Sequence, residues 1–181
     1  MRHIFIDLGA YDGDSIKTFM QIKTLPVAPE LFSIYAFEPN PVFEKPLKDL
    51  QKKLANFITF RAEAAWTEAT TLTFAREKSE TPVGSTVMSS KKHLWDNSPH
   101  IEVTAFDFSD YVKQFADDYV IVKMDIEGAE FPVLEKMIAD KTDSMMNEIW
   151  VEMHPNKVRD YTTTYSNELK AKLNCIVKEW H

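Results

Sequence analysis

The chain is poor in the residues that staple, bend or export a protein, and each scarcity excludes something. One cysteine, Cys175, stands among 181 residues, so no internal disulfide forms, and no Cys/His spacing of the structural-zinc kind is present. That usage fits a reducing, cytoplasmic setting. No uninterrupted apolar run approaches the length that crosses a bilayer, and Asp7 interrupts what would be the apolar core of a signal peptide, so neither membrane insertion nor export is expected. Positive charge is also short: 21 Lys and Arg against 28 Asp and Glu leave a formal charge of −7, without the broad basic field that drives nucleic-acid binding. Glycine is the most telling scarcity, with only Gly9, Gly13, Gly84 and Gly128. A residue used so sparingly belongs where a side chain is excluded. What remains is an ordinary globular mixture, 44% hydrophobic and 27% charged, sized for a single domain over residues 1–181.

The hydrophobic pattern alternates between strand and helix. A β-rich run at residues 3–8 is followed by helical spacing over 14–24, a second strand over 33–37 and a helix from Pro39 to Leu54. Phe57 to Phe60 reads as a third strand. The alternation then breaks into Thr71–Phe74 and Ile101–Ala105, expected as an antiparallel hairpin carrying a long polar excursion from Arg76 to His100. A helix over 107–115, a buried fourth strand from Tyr119 to Met124, a helix over 129–139, a fifth strand over 148–153, a helix over 158–173 and a last strand over 175–179 complete the pattern. Such a chain predicts an α/β fold, Rossmann-like and doubly wound, with a mostly parallel sheet covered on both faces. In strand order 3-2-1-4-5 the ligand crevice opens at the carboxyl ends of the first and fourth strands. Gly9, Gly13 and Gly128 fall at those two ends.

The turn after the first strand reads Asp7-Leu8-Gly9-Ala10-Tyr11-Asp12-Gly13-Asp14. A dinucleotide fingerprint would require glycine at position 11 to let the backbone approach a pyrophosphate, and three acids there oppose a diphosphate. The turn instead suits a zwitterion such as S-adenosylmethionine, whose ammonium and sulfonium favour acids and whose carboxylate suits backbone N–H groups. About 25 residues on, at a spacing typical of ribose ligands, the second strand ends in Phe37-Glu38-Pro39-Asn40, which makes Glu38 the candidate for the two ribose hydroxyls.

Taken in order, Ile6-Asp7-Leu8-Gly9-Ala10-Tyr11-Asp12-Gly13, Ala36-Phe37-Glu38-Pro39-Asn40-Pro41, Ala64-Ala65-Trp66, Val122-Lys123-Met124-Asp125-Ile126-Glu127-Gly128-Ala129-Glu130 and Val151-Glu152-Met153-His154-Pro155 resemble the FkbM-type branch of the class I S-adenosylmethionine-dependent methyltransferases. The resemblance implies that fold and methyl transfer to a hydroxyl oxygen of a small molecule or glycan. It also implies cofactor contacts from Asp7, Gly9, Ala10, Tyr11, Asp12, Gly13, Glu38, Pro39, Asn40 and Asp125, with Ala64 and Ala65 near the adenine. Tyr11 stands where the family commonly has Asn. The chain stops at His181 after its sixth parallel strand, a shortened C-terminal end beside the family's seven-stranded sheet, and the exposed edge expected there is compatible with a homodimer.

Removing a proton from a neutral hydroxyl needs a base or a metal. Asp125 and Glu127 end the fourth strand, Glu152 and His154 the fifth, and His154 is favoured as the base because imidazole titrates near neutrality. The carboxylates offer an alternative, holding Mg²⁺ among water and substrate oxygens. A plainer role for Glu127 and Glu130 is to stabilise a helix N-terminus. The excursion, with Ser85, Thr86, Lys91, Lys92, His93 and Trp95, is a candidate substrate lid. Two other functions remain on the sequence alone: a catalytically silent module that keeps the adenosyl pocket, and a nucleotide-dependent oxidoreductase, which Tyr11 disfavours.

Overall fold

A computed structural model describes residues 1–54, 57–79, 82, 84–158 and 161–180. Six strands form one parallel sheet: β1 (His3–Leu8), β2 (Phe32–Phe37), β3 (Ile58–Arg61), then β7 (Tyr119–Met124), β8 (Glu148–Val151) and β9 (Ile176–Glu179), in spatial order β3-β2-β1-β7-β8-β9. A second sheet of three strands holds β4 (Ala64–Trp66), β5 (Thr70–Ala75) and β6 (His100–Asp107), in order β4-β6-β5. The helices are α1 (Asp14–Phe19), α2 (Glu44–Lys53), α3 (Lys92–Asn97), α4 (Phe108–Val112), α5 (Glu130–Asp140) and α6 (Thr163–Ala171).

Alternate residues of β1 feed two cores. Ile4, Ile6 and Leu8 join Phe108, Phe131 and Leu134 of α4 and α5 in one core. Phe5 points the other way, where it stacks on Phe19 of α1 and packs with Phe32, Leu47 and Ile121. Both faces of the central strands are therefore dry, which is why β1 and β7 read as continuous apolar runs rather than alternating ones. Asp7 and Lys123 are exceptions within those runs. Both are fully or almost fully buried, 0% and 2% exposed, and they answer each other across the β1–β7 register.

The expected α/β architecture and strand order are present, and several local expectations are corrected. The helix expected over 14–24 ends at Phe19, where the chain tightens into i→i−3 bonds from Gln21 to Thr18 and Ile22 to Phe19. The Pro39–Leu54 helix opens instead as a 3₁₀ turn over Pro41–Phe43, capped by Asn40 accepting the Val42 N–H, and becomes α-helical from Glu44. The helix over 107–115 divides into α4 and a 3₁₀ turn at Lys113–Phe115. The helix placed from Val158 starts at Thr163, where the Thr162 hydroxyl accepts the Tyr165 N–H; positions 159 and 160 lie outside the described residues.

The hairpin is also more than a hairpin. Thr71 to Phe74 do pair antiparallel with Ile101 to Thr104, but Ala64, Ala65 and Trp66 add a parallel strand on the other edge of β6. Three residues are too few for a periodic signal, so this strand was invisible to pattern reading. The excursion is not plain loop, since it carries α3 and an antiparallel bridge of Thr86 to Ala75; its positions 80, 81 and 83 lie outside the described residues.

Candidate active site

The carboxyl ends of β1, β2, β7 and β8 meet in a cavity of about 490 Å³, within the size range of small-molecule sites. Its shape follows from the turns that close it. Gly9, at φ +77°, has no room for a Cβ because the Asp125 carbonyl oxygen occupies that space, so the β1 and β7 turns pass in direct contact. The Gly9 and Ala10 N–H groups donate to Phe37 O, each at 3.0 Å, and the Asp125 N–H donates to Leu8 O at 3.1 Å. Three strand ends are thereby tied into one platform.

Of the residues singled out in the sequence, Gly9, Tyr11, Glu38, Pro39, Asn40, Ala64, Ala65, Asp125, Glu127 and Glu152 line this cavity. Asp7, Ala10, Asp12, Gly13 and His154 are not on its wall. Asp7 accepts a hydrogen bond from Ser15 and faces the Lys123 ammonium at 3.2 Å. Ala10 O accepts the Gly13 N–H, and Asp12 accepts the Asp14 N–H at the entrance to α1. The amides of Gly9, Ala10, Tyr11 and Gly13 are all engaged within the protein, so the expectation of free N–H groups for a ligand carboxylate is not met at these positions.

Glu38 is held by its backbone surroundings. Its two oxygens accept the N–H groups of Tyr11 at 3.0 Å and Asn40 at 2.8 Å. Burial nonetheless pushes its carboxyl up to about 7, outweighing those bonds and the Lys123 charge. Phe43, Phe74, Ala64 and Val87 give the cavity apolar lining. Tyr11 sits at φ +51° with its ring 4.1 Å from that of Phe43.

Three acids on the cavity wall, Asp125, Glu127 and Glu152, surround a buried imidazole behind it. His154 is 3% exposed; its Nδ1 lies 3.1 Å from Glu130, and its Nε2 faces Glu127 at 3.5 Å, Glu152 at 3.6 Å and Asp125 at 3.8 Å. Burial alone would lower the His154 pKa, but the Glu130 hydrogen bond and the surrounding acids raise it overall. Asp125, next to this group, is pushed up to about 6, chiefly by burial and against the opposing pull of Lys123. Sequence reading did not single out Lys123. The available signal was a lysine inside an otherwise apolar strand, a position that burial forbids unless the charge is paired.

Asp125, Glu130 and His154 bring potential metal-ligand atoms within 4.8 Å of one another. Glu130 is already engaged within the protein. Glu130 Oε1 accepts the Ile126 N–H at 2.7 Å as well as meeting His154, and its Oε2 accepts the Gly128 N–H at 2.8 Å, so this carboxylate holds the turn after β7.

Comparison with known proteins gives the family. A family model described as the Methyltransferase FkbM domain matches residues 7–173. The chain belongs to the FkbM methyltransferase family. Among solved structures, the methyltransferase FkbM from Methylobacillus flagellatus KT is similar at 18% identity with a TM-score of 0.47, over 77% of this chain and 30% of that one. This FkbM-family chain thus spans about a third of that protein's length. No protein of curated function matches it. Among the described residues of this family member, no helix is long and apolar enough to cross a membrane.

Proposed function

We propose that the chain is an S-adenosylmethionine-dependent methyltransferase that acts on a hydroxyl oxygen of a small molecule or glycan. The observation that carries the reading is one cavity lined both by Glu38 and by the acids Asp125, Glu127 and Glu152, with the His154 imidazole behind those acids. The residues suit the cofactor. Glu38 has lone pairs beyond the two it gives to backbone N–H groups, and hydroxyl donors from a ribose would relieve the burial that raises its pKa. The apolar walls by Phe43 and Phe74 suit an adenine, and the acids Asp125, Glu127 and Glu152 suit a cationic centre. When bound, the cofactor supplies an electrophilic methyl group.

The chain's own contribution is to receive the acceptor's proton and stabilise the charge that results. His154, drawn towards its charged form and off the cavity wall, is poorly placed to take a proton. Asp125 lines the cavity, and burial lifts it to about 6, so we assign it the proton, with the His154 imidazolium balancing the surrounding acids. Lys123 steadies Asp125 from the other side at 3.7 Å.

The test is calorimetry of S-adenosylmethionine, S-adenosylhomocysteine and NAD, followed by a screen of hydroxylated acceptors with a labelled methyl donor. Micromolar binding of the two adenosyl ligands and labelling of a hydroxyl are expected. Binding of NAD alone would overturn the reading, and adenosyl binding without transfer to any acceptor would favour a silent module.

A further inference from the structure

Glu127 stands between the excursion and the buried imidazole. Its Oε2 accepts a hydrogen bond from Lys91 Nζ at 2.5 Å, while its Oε1 faces His154 Nε2 at 3.5 Å. The backbone at Glu127 is at φ +56°, a left-handed geometry that costs energy for a residue with a Cβ and persists only where neighbours hold it. Two of those neighbours come from the excursion. The Thr86 hydroxyl donates to Glu127 O at 2.8 Å, and Thr86 is itself fastened to Ala75 at the end of β5 by backbone bonds of 2.8 and 3.0 Å. Lys91 also donates to Gly84 O at 2.8 Å, so one ammonium closes the excursion on itself and grips Glu127. The side chains of Lys91 and Glu127 are each 14% exposed, too enclosed for the pair to be dismissed as a solvated surface contact.

We infer that Lys91 is a positioning residue that holds the Glu127 carboxylate against His154, so that the excursion organises the acids that line the cavity rather than merely covering them. Released from Lys91, the Glu127 side chain is free to rotate towards water, and the imidazole loses one of its acids. The consequence for turnover rests on the methyl-transfer reading, whereas the consequence for His154 does not.

The deciding measurement is an NMR pH titration of His154 in the whole chain, for the unaltered protein and for Lys91→Met, Lys91→Arg, Glu127→Gln and the Lys91→Met/Glu127→Gln pair. Among the described residues, the titratable groups facing the ring are Asp125 and Glu127 from the turn after β7, Glu130 from α5 and Glu152 from the end of β8. If Lys91 positions Glu127, the Lys91→Met midpoint falls by about half a pH unit or more. Glu127→Gln lowers it similarly, the pair goes no lower, and Lys91→Arg restores it. If Lys91 contributes only a positive charge, its removal raises the midpoint, and a rise or no change overturns the inference. With an acceptor in hand, Lys91→Met should lower kcat about 10-fold at unchanged KM for S-adenosylmethionine. Parallel loss of S-adenosylhomocysteine affinity would instead make Lys91 part of the cofactor wall and overturn the positioning role. Failure to find any acceptor would count against the methyl-transfer reading and leave the titration to decide this one.

Discussion

Lys123 donates from the middle of the sheet to the backbone oxygen of Gly9 at 2.6 Å, on the turn that floors the cavity. Its ammonium also meets Asp7 at 3.2 Å and Asp125 at 3.7 Å, so a buried cation connects the fold's central strand pair to the candidate proton acceptor. Removing one member of such a pair strands the other. Lys123→Met is expected to destabilise the chain by about 3–5 kcal/mol, while Asp7→Asn with Lys123→Met recovers much of the loss. Urea unfolding checks this, and additive losses in the double variant would show that the two do not form a unit.

Glu38 carries a pH signature. Its carboxyl, raised by burial to about 7, holds its proton more tightly in the folded chain than in the unfolded one. Its contribution to stability is therefore present in full at low pH and is lost as pH rises through about 7. Ligand binding should run the opposite way, since the ionised carboxylate is the better acceptor for ribose hydroxyls. S-adenosylhomocysteine affinity is expected to rise from pH 6 to pH 8, and Glu38→Gln should weaken binding about 10-fold or more and flatten that slope. Equal slopes by calorimetry would remove Glu38 from the ribose site.

Asp125 sets the expected acid limb of turnover. With its carboxyl at about 6, kcat should climb as pH rises through that value, because only the ionised form accepts a proton. Asp125→Asn should lower kcat about 10²-fold or more and abolish the limb. A limb that survives the substitution would return the assignment to His154.

Chelation should do nothing. Glu130 already accepts the Ile126 and Gly128 N–H groups and meets His154, and Lys91 holds Glu127, so these acids are engaged within the protein. Turnover measured with and without EDTA, and with added Mg²⁺, is expected to agree within about twofold. Loss of activity on chelation, restored by the metal, would show that Glu130 yields its bonds to a cation.

Much of this molecule was legible from its residues. Continuous apolar runs at β1 and β7 and helical spacing between them prescribed a parallel sheet covered on both faces, because each period follows from local backbone geometry. The scarce glycines marked the turns at strand ends, and Gly9 shows why: the Asp125 carbonyl fills the space a Cβ would need. Glu38 and the Asp125-to-Glu130 segment could be named because the strand ends bring them to one crevice. Other relationships join residues far apart in the chain, and no local period records them. Lys123 and Asp7 neutralise each other across adjacent strands, β4 finds β6 through three residues, and Lys91 reaches Glu127 from an excursion whose polar composition reads equally as solvated loop. Tertiary packing also turned His154 away from the cavity wall and placed four acids around it, since the charge environment of a side chain depends on what surrounds it in space. Residue type and spacing thus determined the fold and which groups converge at its strand ends, while only the folded packing decided which of them face the cavity and which stand behind as counter-charges.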